Sequence, residues 1–239
     1  MKIKLTILIF VVSTSLFALE NKEINHFNSF WFSDFTKWNI NNKWSLYLDF
    51  GLRGNKWTKE WSQQLIRPGL FYQCNSKLSI GGGFAYFKHF AKNGNRNEYR
   101  FWQQLLLNYN AGRIKIANRF RLEQRCIQKI IDNKLNNNYS FVNRIRYQLA
   151  FQIPLNNEKL ENNTIYATVA DEIMFNYGKE IVYNYFDQNR FSFGLGYKYN
   201  EPLNIVLSYT MIILHKNKPN TFDNTNVILV SVYHNLNSN

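Results

Sequence analysis

Residues that commonly build disulfides and metal sites are scarce in this sequence. Its 239 residues include only two cysteines, Cys74 and Cys126, and four histidines. The strand pattern described below places them near opposite ends of a barrel wall, so we expect no disulfide between them. The scattered histidines have no ligand spacing. We therefore predict neither a metal nor a cofactor.

Sequence motifs of catalysis are also missing. No G-x-S-x-G sequence, which surrounds the nucleophile of many hydrolases, occurs in the chain. Gly81–Gly83 is not followed by the Lys-Ser/Thr pair of a phosphate-binding loop, and a bent or tightly packed strand explains these glycines better. We predict no catalytic residues and expect that the protein is not an enzyme.

Long apolar runs and acidic residues are scarce as well. After residue 18 no apolar run approaches the ~20 residues of a membrane-spanning helix, and the mean hydropathy is −0.39. Both observations exclude a helical membrane protein. Sixteen acidic residues against 29 basic residues give a net charge of +13. The arginines alternate along the chain instead of forming one patch, so we predict no nucleic-acid partner.

The first 18 residues have the order of a secretory signal. Met1–Lys4 is basic, Leu5–Val12 is almost wholly apolar and Ser13–Ala18 is small or apolar. The apolar core is about half as long as a spanning helix requires, which makes a retained anchor the weaker interpretation. We predict a signal peptide at residues 1–18, cleaved near Ala18, and one domain over residues 19–239.

The residues from Arg113 to Arg125 show the pattern that defines the predicted fold. Two kinds of side chain alternate strictly, as expected for a β-strand whose faces have different surroundings. One face holds Arg113, Lys115, Ala117, Arg119, Arg121, Glu123 and Arg125, and the other holds Ile114, Ile116, Asn118, Phe120, Leu122 and Gln124. A helix would mix these two sets.

The same alternation repeats along the chain behind the secretory signal. Clear examples are Lys43–Arg53, Glu98–Asn110, Tyr139–Pro154 and Asp187–Tyr199. We interpret the apolar faces as lipid-facing and the charged faces as the inside of a closed barrel. The 17% aromatic content matches the interface girdles of such barrels. The predicted fold is all-β: a transmembrane antiparallel up-and-down β-barrel of about ten to twelve strands.

The strand number is not fixed by this pattern. About eleven segments can be counted, whereas bacterial single-chain barrels have even numbers. Ten strands plus an irregular Phe27–Phe35 segment, or twelve with a short strand before it, are both open. Tight turns at Asn75, Ala111 and Asn200 alternate with longer connections, as in barrels with periplasmic turns and external loops. The Leu155–Asn163 connection fits this rule only loosely.

One proline interrupts an otherwise regular segment. Gln63–Cys74 places Ile66, Pro68 and Leu70 on its apolar face. Proline cannot donate a hydrogen bond to a neighbouring strand, so it is found mainly at edges and bulges. We therefore predict a β-bulge at Arg67-Pro68.

Several polar segments, in their order and spacing, resemble a known family. They are RPGL at Arg67–Leu70, EYRFWQQ at Glu98–Gln104, NRFRLEQR at Asn118–Arg125, NRIRYQL at Asn143–Leu149, DE at Asp171–Glu172 and DQNR at Asp187–Arg190. Over nearly all of the mature chain they are similar to the domain of unknown function 2490, predicted outer-membrane barrels common in the Bacteroidetes. The resemblance implies the same porin-like barrel in a Gram-negative outer membrane, but no activity or ligand. That location implies lipid, lipopolysaccharide and the barrel-insertion machinery as partners.

The inward polar side chains form the candidate site. They are Arg67, Glu98, Arg100, Gln104, Arg119, Arg121, Glu123, Arg125, Arg144, Arg146, Glu172, Gln188 and Arg190. Charges in a narrow lumen must be paired and hydrogen-bonded. The first hypothesis is therefore a ladder in which Glu98, Glu123 and Glu172 bridge the seven inward arginines from Arg100 to Arg190 and plug the lumen.

Two alternatives to the plugged lumen stay open. The arginines outnumber the carboxylates, and rings of arginine suit anions, so a narrow anion-preferring pore or ligand channel is the second hypothesis. A lipid-modifying hydrolase of the outer membrane is the third. It would need a nucleophile and a base within reach of each other, and His89 and Ser192 are candidates only by residue type.

Overall fold

The computed structural model describes residues 22–90, 94–131 and 134–238, and nearly all of them lie in β-strands. The strands are β1 (Glu23–Asn39), β2 (Trp44–Asn55), β3 (Glu60–Gln73), β4 (Leu78–His89), β5 (Arg96–Ala111), β6 (Ile114–Ile131), β7 (Lys134–Pro154), β8 (Thr164–Tyr177), β9 (Phe186–Lys198), β10 (Leu203–His215) and β11 (Thr221–Asn237). The predicted signal peptide at residues 1–18 lies outside the described residues. None of the described residues form a helix long and apolar enough to cross a membrane.

The strands form one closed barrel in chain order, as predicted for an up-and-down fold. Each strand pairs antiparallel with the next, but β1 and β11 close the barrel in parallel, from Glu23 opposite Thr221 to Asn39 opposite Asn237. The predicted range of about ten to twelve strands is confirmed at eleven. Neither even-numbered solution applies, because the segment around Phe27–Phe35 belongs to a full strand and the parallel seam accommodates an odd count.

The connections fall on two rims because neighbouring strands run in opposite directions. The turn rim carries connections 40–43, 74–77, 112–113, 155–163 and 199–202. The loop rim carries connections 56–59, 178–185 and 216–220, together with the strand ends at His89, Arg96, Ile131 and Lys134. The tight turns predicted beside Asn75, Ala111 and Asn200 all lie on the turn rim. The 155–163 connection is the exception there, as the sequence indicated.

Alternation along each strand separates an apolar outside from a more polar inside. On β2, Trp44, Leu48 and Phe50 are exposed, while Ser45 and Asp49 between them are buried. Large exposed apolar side chains occur on all eleven strands. An outer surface of this kind is what a barrel needs in order to contact lipid.

The proline in β3 is accommodated without an inserted residue. Pairing with β4 lapses at Arg67 and Pro68, but Ile66 opposite Tyr86 and Gly69 opposite Gly83 keep the same register. The predicted bulge is therefore wrong. A side chain at Gly83 would place its Cβ only 2.2 Å from the Pro68 carbonyl oxygen, so the glycine lets the two backbones approach closely where the proline cannot donate.

Candidate functional site in the lumen

The polar side chains predicted as the site all lie on the inner side of the barrel. Arg67 is on β3; Glu98, Arg100 and Gln104 are on β5; Arg119, Arg121, Glu123 and Arg125 are on β6; Arg144 and Arg146 are on β7; Glu172 is on β8; Gln188 and Arg190 are on β9. Strict alternation on β5, β6 and β7 turns every second residue inward. The site is therefore the charged lining of a single lumen.

Glu123 is the centre of this lining. Its side chain is 1% exposed and lies 2.7 Å from Arg146 Nη1 and 3.3 Å from Arg100 Nη1. Arg144 and Arg121 reach within 3.7 and 3.9 Å of the same carboxylate. One buried carboxylate therefore balances guanidiniums from three strands.

Glu98 and Glu172 extend the charge pairing on either side. Glu98 accepts hydrogen bonds from Arg100 at 2.7 Å and Arg125 at 2.6 Å. Glu172 accepts them from Arg146 at 2.9 Å and Arg119 at 2.7 Å. We call the connected set the ion-pair belt; it comprises Glu98, Arg100, Arg119, Arg121, Glu123, Arg125, Arg144, Arg146, Glu172 and Asp187.

The carboxylates of the belt offset the repulsion between arginines that the strand register places opposite each other. Arg100 faces Arg125 across β5 and β6, and Arg121 faces Arg146 across β6 and β7. Like charges directly opposite destabilise a sheet. Glu98 bridges the first pair, and Glu123 lies beside the second. The acidic residues therefore hold together arginines that would otherwise repel.

Two buried acidic residues complete pairs that the sequence analysis did not include. Asp49 lies 3.0 Å from Arg67, its direct neighbour across β2 and β3. Asp187 lies 2.9 Å from Arg144. Alternation predicts that only one of Asp187 and Gln188 points inward, but a register shift in the β8–β9 pairing buries both. No local sequence signal marks such a shift.

Arg190 departs from the predicted ladder. Among the described residues no carboxylate lies within 4 Å of it, and its Nε donates instead to Gln188 at 2.9 Å. Arg53 on β2 is in the same position, because among the described residues its guanidinium donates a hydrogen bond only to Gln63. Both guanidiniums lie over the ring of Trp31, at 3.9 Å for Arg53 and 5.3 Å for Arg190. Two cations therefore share one aromatic ring without an acidic partner.

Aromatic side chains fill another part of the lumen, which the sequence analysis missed. We call Phe35, Tyr47, Phe71, Trp102 and Tyr233 the aromatic cluster. Phe35 stacks on Tyr233 at 4.8 Å, and Tyr47 contacts Phe71 at 5.6 Å and Trp102 at 6.4 Å between ring centroids. The sequence offered one sign of this cluster, because Tyr47 lies on the polar face of β2 and therefore faces the lumen.

The belt and the aromatic cluster meet inside the barrel. The guanidinium of Arg121 lies 5.1 Å from the ring centroid of Trp102, and that of Arg100 lies 3.6 Å from the ring of Phe87. Trp102 and Phe87 are each 1% exposed. Cation–π contacts of this kind are strengthened by desolvation. They join the charged and apolar parts of the lumen lining.

A cavity of about 1340 Å³ remains in the lumen and has residues of both rims in its wall. On the turn-rim side Lys37, Lys115 and Lys198 line it, close enough for their charges to interact. Lys198 Nζ donates to the Leu160 carbonyl at 3.2 Å. The long 155–163 connection thus reaches into this mouth, and the remaining space is bordered by cations.

The groups considered for catalysis have other partners. His89 Nε2 lies 2.8 Å from Glu98 Oε2, and Ser192 Oγ lies 2.8 Å from Thr210 Oγ1. Cys74 and Cys126 are both free. Within the part of the chain that the structure describes, no three His, Cys, Asp or Glu side chains are grouped so that they could hold a metal ion.

Comparison with known proteins places this lumen in a family. The family model described as "Protein of unknown function (DUF2490)" matches residues 28–223, a span that contains the whole belt and Trp31. No curated protein and no solved structure matches the chain. The match covers most of the sequence, and the chain therefore belongs to the DUF2490 family of unknown function.

Proposed function

We propose that the protein spans the bacterial outer membrane, with its turn rim in the periplasm and its loop rim outside. The exposed apolar side chains on every strand support this location, as does the signal-like sequence of residues 1–18. The outer surface then contacts lipid and lipopolysaccharide, and the barrel-insertion machinery assembles it. We propose no nucleic-acid partner.

Within that membrane we propose a structural or interaction role for a barrel that closes its own lumen. The observation that carries this proposal is the contact between the ion-pair belt and the aromatic cluster through Arg121 and Trp102. The buried carboxylates of Glu98, Glu123 and Glu172 resist hydration because their arginine partners are already in place. A barrel packed in this way opposes the free diffusion that a general porin permits.

An anion-preferring path is the second candidate, and the charge balance favours it. The belt together with Asp49, Arg53, Arg67 and Arg190 holds nine guanidiniums and five carboxylates. An excess of fixed positive charge raises the local concentration of anions and excludes cations. Water that threads the remaining cavity would therefore carry anions first.

Single-channel conductance in a planar bilayer separates these candidates. We expect refolded protein to be silent, and Trp102→Ala to conduct because it removes the ring that joins cluster and belt. Phe101→Ala is the matched control, since Phe101 is 59% exposed on the outer face, and it should stay silent. Steady anion-selective openings of the unaltered protein would favour the second candidate, whereas unselective openings would contradict both.

We propose no hydrolytic activity. His89 is engaged by Glu98, and Ser192 by Thr210, so the two candidates do not form with each other the nucleophile-and-base pair that acyl transfer requires. Release of fatty acid from lipid by the purified protein, lost in His89→Ala, would contradict this view.

A further inference from the structure

We propose that the lumen contains a binding site for a small divalent oxyanion, such as inorganic phosphate or sulfate, formed by Arg53 and Arg190 where both lie over Trp31. This site goes beyond the closed barrel proposed above, because a closed lumen can still bind an ion from one rim.

Both guanidiniums lie close to the same aromatic ring. Their carbons lie 3.9 and 5.3 Å from the Trp31 ring centroid, so one ring orients both cations. The ring face attracts each guanidinium but supplies no hydrogen-bond acceptor. Planar guanidinium groups bind tetrahedral oxyanions through paired N–H donors. Two such groups held beside one ring are preorganised for that task.

The local charge is incomplete without a ligand. Arg53 and Arg190 have only the neutral amides of Gln63 and Gln188 as side-chain hydrogen-bond partners in the described structure. The other seven arginines of the nine counted above each lie within 4 Å of a carboxylate. Two positive charges beside one ring, neither with a carboxylate within 4 Å among the described residues, match one divalent anion, which is why we favour phosphate or sulfate over chloride.

Two arginine donors elsewhere in the lumen are also left without partners. Arg121 is 2% exposed, and its Nη1 has no hydrogen-bond partner among the described residues; the same is true of Arg119 Nε. Buried donors usually find partners in protein or bound ligand. These two donors add to the excess of guanidiniums over carboxylates in the lining, where Asn184 Oδ1 is likewise a buried acceptor without a partner among the described residues.

The site can be reached from the loop rim. Arg53 lies two residues before the end of β2, and Arg190 is the fifth residue of β9, both counted from that rim. Ser62 and Asn217 of the same rim line the cavity with them. A free ion therefore reaches the site from the loop rim, whereas the phosphate of a membrane lipid stays outside the barrel wall.

Calorimetric titration of the refolded full chain in detergent micelles tests this site. Phosphate and sulfate should each bind with one-to-one stoichiometry at constant ionic strength, and chloride should bind much more weakly. Arg53→Gln and Arg190→Gln should each weaken phosphate binding by about tenfold or more, because each removes a charge-assisted donor pair. Arg53→Lys keeps the charge but not the planar guanidinium. Its affinity for phosphate should therefore lie between those of Arg53→Gln and the unaltered protein.

Two further variants keep the test decisive. Arg113→Gln removes an exposed arginine at the turn rim and should leave binding unchanged. Trp31→Phe keeps an aromatic ring, so binding should persist while any change in tryptophan fluorescence on phosphate addition is reduced. Absence of saturable phosphate binding, or equal binding by folded Arg190→Gln, would overturn the proposal. Because binding is read in micelles, neither result depends on whether the barrel conducts or is closed.

Discussion

Glu123 lies where the arginines of three strands converge, and its carboxylate is shielded from solvent. Four guanidiniums lie within 4 Å of its carboxylate, and the side chain is 1% exposed. Desolvation of several charges is costly, and the mutual attraction of the buried groups offsets that cost only if every charge keeps its partner. The belt therefore depends on this single acidic residue more than on any one arginine.

Glu123→Gln should destabilise the barrel strongly. The amide keeps the shape of the side chain but leaves Arg100 and Arg146 with less countercharge, and breaking a buried pair costs about 3–5 kcal/mol. Urea unfolding of the refolded protein in lipid vesicles measures this loss. Glu180→Gln is the control, because the Lys129–Glu180 pair is largely exposed at the loop rim, and it should change stability by less than about 1 kcal/mol. Equal losses in the two variants would contradict the central role of Glu123.

Alternation on single strands predicted most of this site but not its exceptions. On β5 and β6 the charged residues from Glu98 to Arg125 all lie on one face, so the inward positions of Glu98, Glu123 and their arginines follow from the sequence. On β1 both faces carry aromatic residues, and the pattern could not identify Trp31 as a lumen residue. The inward turn of Asp187 depends on a register shift with β8, which no property of β9 alone encodes.

At the scale of the strand, glycines mark the places where a large side chain of one strand lies against the backbone of another. A Cβ at Gly69 on β3 would lie 2.3 Å from Trp102 Cζ2, and a Cβ at Gly81 on β4 would lie 2.5 Å from the ring of Phe71. These glycines make room for the aromatic cluster. The tight packing predicted for Gly81–Gly83 is therefore confirmed: the Phe71 ring lies against Gly81, and backbone atoms of Trp102 and Pro68 lie against Gly82 and Gly83.

Gly69→Ala should lower stability by about 1–3 kcal/mol, the usual cost of overpacking a dense core. Trp102 is 1% exposed and its indole donates to the Phe84 carbonyl at 3.3 Å, so the ring has little room to move. Urea unfolding again measures the effect. In a Trp102→Leu background the smaller side chain should reduce the penalty of Gly69→Ala substantially. An equal penalty in both backgrounds would show that Trp102 is not the cause.

The closing seam shows why local patterns could not settle the strand number. Pairing of β1 with β11 joins segments almost two hundred residues apart, and a parallel pair carries no alternation signal different from an antiparallel one. The seam also has outward polar contacts, such as Asp34 Oδ2 at 3.0 Å from His234 Nε2. The expectation of an even number came from other barrels, not from these residues.

At the scale of the whole molecule, the odd number of strands places the two ends of the barrel chain at opposite rims. Eleven alternating strands begin at one rim and end at the other, so Lys22 precedes β1 at the loop rim while Ser238 follows β11 at the turn rim. The Glu23 amide donates to the Asn220 carbonyl at the first rim, and Ser238 donates to the Asn39 carbonyl at the second. In an even-numbered barrel these two residues would share one rim.

Cysteine labelling on whole cells tests this topology in a background without Cys74 and Cys126. We expect Lys22→Cys and Lys218→Cys to react with a membrane-impermeant maleimide on intact cells, because both lie at the loop rim. Lys77→Cys and Ser238→Cys should react only after the outer membrane is permeabilised, because both lie at the turn rim. The reverse pattern would contradict the proposed orientation but keep the eleven-strand barrel. Labelling of residues 22 and 238 from the same side would contradict the parallel seam, since only an even number of crossings returns the chain to its starting rim.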